Sequence, residues 1–492
     1  MDAWVSGSIL TLYYLALGSL ALYGLHRGAL LWAFWRTRRS APPQPPPPEQ
    51  WPVVTVQLPI YNEMYVAERL VEAVCHLDYP RDRLEIQVLD DSTDETRDLL
   101  ARQVSRLRAA GFDIHHRRRD DRRGFKAGAL EAGLEAARGA LVAVFDADFV
   151  PAGDFLRRTV PHFADSAVGM VQARWGHLNR DYSLLTRIQA TLLDGHFVVE
   201  HTARHRRGWF FNFNGTAGIW RRAAIADSGG WEHDTLTEDL DLSYRAQLRG
   251  WKFVYLPDLV VPAELPAEIN AYKSQQTRWA QGSIQTCRKL LGKVLRAPLP
   301  LRVKLEALVH LTNNAAYLPM LLLSLLIFPA MALRQGEARW MLWAFDLPIF
   351  FLATVSVVVF YLATQRVAGR PWRRALAHVP ALMGLGIGLA VNNSRAVLAG
   401  LARGAGVFHR TPKYRLEGTA GDWAGKRYGL RKRLSFYVEA LLALYSLACF
   451  AAAIRLEMWY SMPFLYLFLH GYVYMVLLGL APRLGMRPVA RA

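Results

Sequence analysis

The sequence predicts an α/β doubly wound domain joined to an α-helical transmembrane bundle. Three observations predict it. Between residues 51 and 300, short β-branched runs alternate with helical stretches, the pattern of a parallel sheet covered by helices. Outside that segment, five apolar runs are too long for a soluble core. Hydrophobic residues make up 52% of the 492 and charged residues 20%, which excludes a disordered or fibrous chain. The formal net charge of +18 admits nucleic acid, anionic lipid or phosphate-bearing substrates as partners. The basic residues concentrate beside the apolar runs and no nucleic-acid motif occurs, so membrane lipid is expected and nucleic acid is not. Cys75, Cys287 and Cys449 lie far apart and are expected to be reduced structural thiols.

Residues 1–35 read as an N-terminal transmembrane anchor. Its uncharged core, 8–25, suits a bilayer of ~30 Å. A signal peptide would start basic, but here Asp2 comes first and Arg27, Arg36, Arg38 and Arg39 follow the apolar run. Arginines on the downstream side put that side in the cytoplasm. Residues 40–50 are a proline-rich linker, extended because proline forms neither helix nor sheet interior. The cytosolic domain, 51–300, opens with a strand at 53–59. A second strand spans 84–91, followed by a helix that starts at Ser92-Thr93 with early acids. An Ala-rich helix, 126–139, precedes a third strand at 141–149. Ligands of such sheets bind at the carboxyl ends of the strands.

The region 301–492 carries spans at about 311–333, 341–364, 435–454 and 458–480. Arginines and lysines flank 376–400 on both sides, so this stretch does not cross once. It is read as an interfacial helix, which fits its glycines and the polar run Asn392-Asn393-Ser394-Arg395. The result is five spans, an outside N-terminus and an inside C-terminus. Asn313, Asn314, Glu439 and His470 are costly in lipid and either bond between helices or line a wet path.

Four constellations carry chemistry. Asp146-Ala147-Asp148, at a strand end, can hold Mg²⁺ or Mn²⁺, hard cations that take carboxylates plus substrate phosphates. Asp90-Asp91, at another strand end, can accept from a nucleobase or ribose; a helix cap is the plainer explanation. Thr237-Glu238-Asp239 opens a helix, where carboxylates gain from the helix dipole and where one of them can serve as a general base. Gln275-x-x-Arg278-Trp279 lies just before the spans; its arginine can hold phosphate and its tryptophan can stack on a ring. No glycine-rich dinucleotide fingerprint or P-loop occurs.

Together, in this order and beside spans, these residues resemble the processive membrane glycosyltransferases of family 2, the cellulose-synthase superfamily. Within it the chain is most similar to the cellulose-synthase-like A and C enzymes, through the stretch from 211 to 279. The resemblance implies a GT-A type fold, with Asp239 and Glu238 catalytic. It places nucleotide contacts at Pro59, Tyr61, Glu63, Asp90, Asp91, Lys126, Asp146, Gln275 and Arg278, with the metal on Asp146 and Asp148. It places acceptor contacts at Trp279, Asn214, Gly215 and Thr216. Phe408, Thr411 and Lys413 resemble a gating loop, 404–416, which departs from the family in having Arg410 where valine is usual. The implied activity is inverting transfer of hexose from GDP-mannose or UDP-glucose to a growing β-linked polysaccharide, which leaves between the spans to a possible periplasmic export partner. The alternative within enzymes adds one sugar to a lipid, as ceramide-type glucosyltransferases do. The arginine and alanine content suggests a bacterium, and hence a multi-pass inner-membrane protein with its catalytic domain in the cytoplasm.

Overall fold

The structure, a computed structural model, describes residues 3–38, 44–334, 342–402, 406, 410–423, 426–428 and 435–480. Helix α1 (Ala3–Thr37) comes first. The α/β domain then lays down β1 (Val54–Ile60), α2 (Ala67–Cys75), β2 (Leu84–Asp90), α3 (Thr96–Ala109), β3 (Ile114–Arg117), α4 (Phe125–Glu135) and β4 (Leu141–Val144). After these come β5 (Val168–His177), α5 (Leu184–Asp194), α6 (His201–Arg207), β6 (Gly218–Arg221), α7 (Glu238–Leu248) and β7 (Lys252–Ala263). Helix α8 (Ile269–Arg296) leads into the apolar region.

The seven strands form one sheet in the order β3-β2-β1-β4-β6-β5-β7. The first half is parallel, with Val54 beside Leu84 and Ile60 beside Asp90 in continuous register. β1 and β2 are buried along their whole length, as expected of strands covered on both faces. The second half corrects the all-parallel expectation. β6 runs antiparallel to both β4 and β5, so the sheet is mixed. Its four residues are too few to show a strand period, which explains why the sequence did not announce it. The third strand is also shorter than expected. β4 stops at Val144, so Asp146 and Asp148 stand in the turn beyond its carboxyl end.

The apolar region contains α9 (Leu301–Thr312), α10 (Tyr317–Leu333), α11 (Leu347–Val367), α12 (Trp372–Gly388), α13 (Ala390–Leu401), α14 (Ser435–Arg455) and α15 (Met462–Leu480). By length and composition, six helical segments among the described residues could cross a membrane, and 372–401 is one of them. Two glycines of this stretch have a packing role. A Cβ on Gly388 would stand 2.9 Å from the carbonyl oxygen of Gly471, and one on Gly384 would stand 3.0 Å from His470 Nε2. They let α12 lie directly on α15. The polar run Asn392-Asn393-Ser394 is buried in α13, which packs against α8. Three of the four costly polar residues have partners: His470 Nε2 meets the Pro380 carbonyl at 2.9 Å, Asn314 donates to Ser283 Oγ at 2.9 Å, and Glu439 pairs with Lys273. The three cysteines are free thiols.

Candidate active site

The carboxyl ends of β1, β2 and β4 open into one cleft, roofed by α8 and the segment 410–416. Pro59, Tyr61, Glu63, Asp91, Lys126, Asp146, Asp148, Asn214, Gly215, Glu238, Asp239, Gln275, Arg278, Trp279, Thr411 and Lys413 all line it. The sequence-derived site is thus brought together almost whole. Three residues stand otherwise. Asp90 is buried: its Oδ1 accepts the Ser92 N–H at 2.9 Å and its Oδ2 meets His116 Nε2 at 2.8 Å, so it shapes the strand end from behind. Thr216 is fully buried and accepts the Asp146 N–H through Oγ1 at 2.8 Å, holding the acidic turn instead of an acceptor. Phe408 lies outside the described residues.

At the β2 end of the cleft, Arg119 forks onto Asp91 with bonds of 3.0 and 2.5 Å. Arg122 lies 3.3 Å above the Tyr61 ring, a cation–π contact inside the cleft. Of the basic run 117–123, these two arginines therefore turn inward.

The two acids of the Asp-x-Asp turn each carry a lysine. Lys126 Nζ is 2.5 Å from Asp146 Oδ1, and Lys413 Nζ is 2.6 Å from Asp148 Oδ2. Burial alone would lower the Lys126 pKa; the charges of Asp146, Glu238 and Asp239 raise it instead. In this structure a lysine meets the charge of each carboxylate, and carboxylate oxygens of this kind are the ligands that suit Mg²⁺ or Mn²⁺. A second cluster, Glu232, Asp234 and Asp241, also gathers carboxylates. There Lys289 Nζ already sits within 2.5, 2.7 and 3.0 Å of the three, so their charge is met from within the protein.

Glu238 and Asp239 begin α7, with N–H groups of the first turn facing them. Burial raises the Asp239 carboxyl, and Glu238 raises it further, to about 7. Burial likewise lifts Glu238, against the pull of Lys126 at 3.9 Å. A carboxylate tuned to neutrality suits a general base. Gly215 makes room for it. Its φ is +78°, and a Cβ there would stand 3.0 Å from Asp239 Oδ2 and 3.3 Å from Lys126 Nζ. Gly215→Ala is therefore expected to destabilise the fold by ~1 kcal/mol through backbone strain, to displace Asp239 and to cut turnover at least tenfold. A melting curve and a rate together check it.

The roof was only partly legible. Arg278 donates to Thr411 Oγ1 at 3.0 Å, joining α8 to the segment 410–416. Glu264, just after β7, accepts the N–H groups of Tyr414, Arg415 and Leu416. Its own N–H donates to Asp148 Oδ2 at 3.1 Å. No spacing in the sequence pointed to Glu264, because its role is to hold backbone brought from 150 residues away. Arg410, the departure from the family pattern, comes within 3.5 Å of Glu63 and lies over the Tyr428 ring. Burial, with Asp148 and Asp146 adding and Arg410 opposing, pushes Glu63 up to about 7.

A second cavity, of about 420 Å³, opens from the Asp239 end of the cleft among the helices. Asn214, Thr237, Asp239, Gln275 and Trp279 line both spaces. Farther in, the walls include His26, His310, Asn313, Asn314, Tyr317 and Phe468. Asn313 and Asn314 thus line a cavity among the helices.

Comparisons with known proteins agree with this geometry. The sequence profile described as "Glycosyltransferase like family 2" matches residues 52–282. Over 251 residues the chain is 47% identical to glucomannan 4-beta-mannosyltransferase 2 of Arabidopsis thaliana, covering 50% of this chain and 47% of that protein. It is 45% identical to glucomannan 4-beta-mannosyltransferase 1 of Oryza sativa subsp. japonica, again over 50% of this chain and 48% of that protein. The chain thus spans about half the length of the curated relatives it matches. Among solved structures it is similar to a mannosyltransferase from Pyrobaculum calidifontis in complex with GDP-Man and Mn²⁺. That match has a TM-score of 0.51 and 25% identity over 78% of this chain and 99% of the other. The mixed sheet with acids at its strand ends is a GT-A fold, and the chain carries, over residues 52–282, a domain that belongs to the glycosyltransferase like family 2.

Proposed function

We propose that the protein is an inverting, processive mannosyltransferase that takes mannose from GDP-mannose and extends a β-linked polysaccharide, passing it out between its helices. One observation carries this reading. Asp239, with Trp279, Gln275 and Asn214, stands where the donor cleft meets the cavity among the helices, so the base faces both spaces at once. The curated mannosyltransferases and the GDP-Man complex among the relatives favour mannose over glucose as the transferred sugar.

In this mechanism Asp146 and Asp148 would hold Mg²⁺ or Mn²⁺, which would supply charge to neutralise the departing diphosphate. Lys126, Arg278 and Lys413 bring three further positive charges to the same end of the cleft. Asp239 takes the proton from the acceptor hydroxyl, and Glu238 beside it keeps the base's affinity for that proton high. Trp279 offers its ring to the acceptor sugar at the cavity mouth. The polymer then occupies the cavity. The chain sits in the membrane with five spans and 376–400 at the interface, its catalytic domain on the cytoplasmic side. The bacterial inner membrane and a periplasmic export partner complete that reading, although the plant relatives lend them no support.

Two results check it. Asp239 works as the carboxylate, and below its raised pKa it is protonated. The kcat/KM profile should therefore fall about tenfold per unit as pH drops below about 7 and level off above it. Product size is the second check: sugar from labelled GDP-mannose should appear in material retained as long chains. A single labelled sugar on extracted lipid would replace the processive reading with the lipid-acceptor one.

A further inference from the structure

The transferase mechanism leaves Glu439 without a task. It lies in α14, in an otherwise apolar helix, and its side chain is fully buried. Its Oε2 is 2.6 Å from Lys273 Nζ, and the Lys273 side chain is only 2% exposed. Lys273 belongs to α8, the helix that carries Gln275, Arg278 and Trp279 into the site. A charge pair thus joins the catalytic roof directly to a helix of the transmembrane bundle.

A second buried residue of the apolar region grips the same turn. Asn392 of α13 donates through Nδ2 to the Lys273 carbonyl at 3.2 Å, and its Oδ1 lies 3.3 Å from the Thr277 hydroxyl. The stretch 273–277 is therefore held from two sides, by a charge and by an amide. Lys273 does not reach the substrate. Trp279 is six residues on, ~9 Å along the helix axis and about 120° around it.

Such a pair adds little to stability. Removing two charges from water offsets most of their attraction, so an apolar pair of the same volume would hold the helices about as well. What a charge pair supplies is register. A slip of one residue moves a helix by ~1.5 Å and turns it by ~100°. Apolar surfaces tolerate small slips, whereas a buried ammonium that loses its carboxylate does not.

We propose that Lys273 and Glu439 are a positioning pair that fixes α8 against the transmembrane bundle, so that Trp279 and Arg278 stay over the mouth of the cavity. This deepens the proposed function and rests on it for its kinetic effect. The charges act through helix position, with no part in proton transfer or donor binding.

The test compares wild type, Lys273→Met, Glu439→Leu and the double variant, each as the full chain in lipid nanodiscs. Each single change strands a buried charge or a buried polar contact and should lower the melting temperature. The double variant should melt within a few degrees of wild type. It should still lose tenfold or more in kcat with donor KM changed less than about threefold, and it should release shorter products. Its backbone amides over 273–280 should exchange faster than in wild type, with the sheet unchanged. A double variant with wild-type kcat, product length and exchange would overturn the proposal. If the double variant does not fold, Glu439→Asp, which keeps the charge but withdraws it by one methylene, is read by the same criteria. Amide exchange is measured with or without turnover. A wild-type protein that transfers no sugar would therefore sink the transferase reading, while the exchange result still decides the pairing.

Discussion

Asp239→Asn is expected to lower turnover by ~10²–10⁴-fold, the range for losing a positioned general base, while nucleotide binding stays within about twofold. The amide has the carboxylate's shape but takes no proton at neutral pH. Its neighbours keep their contacts: Lys126 remains on Asp146, and Gly215 still has room against the side chain. The donor contacts proposed at Tyr61, Asp91, Lys126 and Lys413 line the cleft and not the second cavity. Calorimetry with GDP and a rate assay on the same preparation separate the two effects. Loss of GDP binding in this variant would contradict the assignment of Asp239 to the acceptor side.

Asp148→Asn is expected to act at the other end of the reaction. Removing one of two cation-holding carboxylates should cost ~100-fold or more in turnover, since metal charge stabilisation is worth several kcal/mol. It should also raise the Mn²⁺ concentration needed for half activity. A structural effect accompanies the chemical one. Asp148 Oδ2 takes both the Lys413 ammonium at 2.6 Å and the Glu264 N–H at 3.1 Å, so the segment 410–416 should lose part of its anchorage. Limited proteolysis near residue 413 should then be faster than in wild type. Asp146→Asn should spare the segment, because the partner of Asp146 is Lys126 on α4. Equal proteolysis in the two variants would mean that Lys413 is held by something other than Asp148.

The parts of the site on long, regular elements were readable in the sequence. β1 and β2 show as β-branched runs, and the acids after them fall where a parallel sheet places ligands. The helix with Gln275, Arg278 and Trp279 is legible through residue type and place. What escaped was set by distant packing. Asp90 and Asp91 are neighbours with the same chemistry, yet only the fold decides that Asp90 turns back to His116 and Asp91 forward into the cleft. Thr216 looked like part of an acceptor loop, but the antiparallel entry of β6 buries it behind Asp146. Glu264 serves backbone from residues 414–416, a contact with no local signature. The packing role of the α12 glycines was hidden for a related reason: the partner helix they lie against is invisible to local reading.

Donor choice with product identity is the measurement closest to the central claim. Purified protein in nanodiscs would be offered GDP-mannose or UDP-glucose, with Mn²⁺, with Mg²⁺ or with a chelator. The expected result is incorporation from GDP-mannose alone, dependent on the divalent cation, into long material that β-mannanase digests. A β-glucanase-sensitive polymer made from UDP-glucose, or no transfer from GDP-mannose under any condition, would contradict the account.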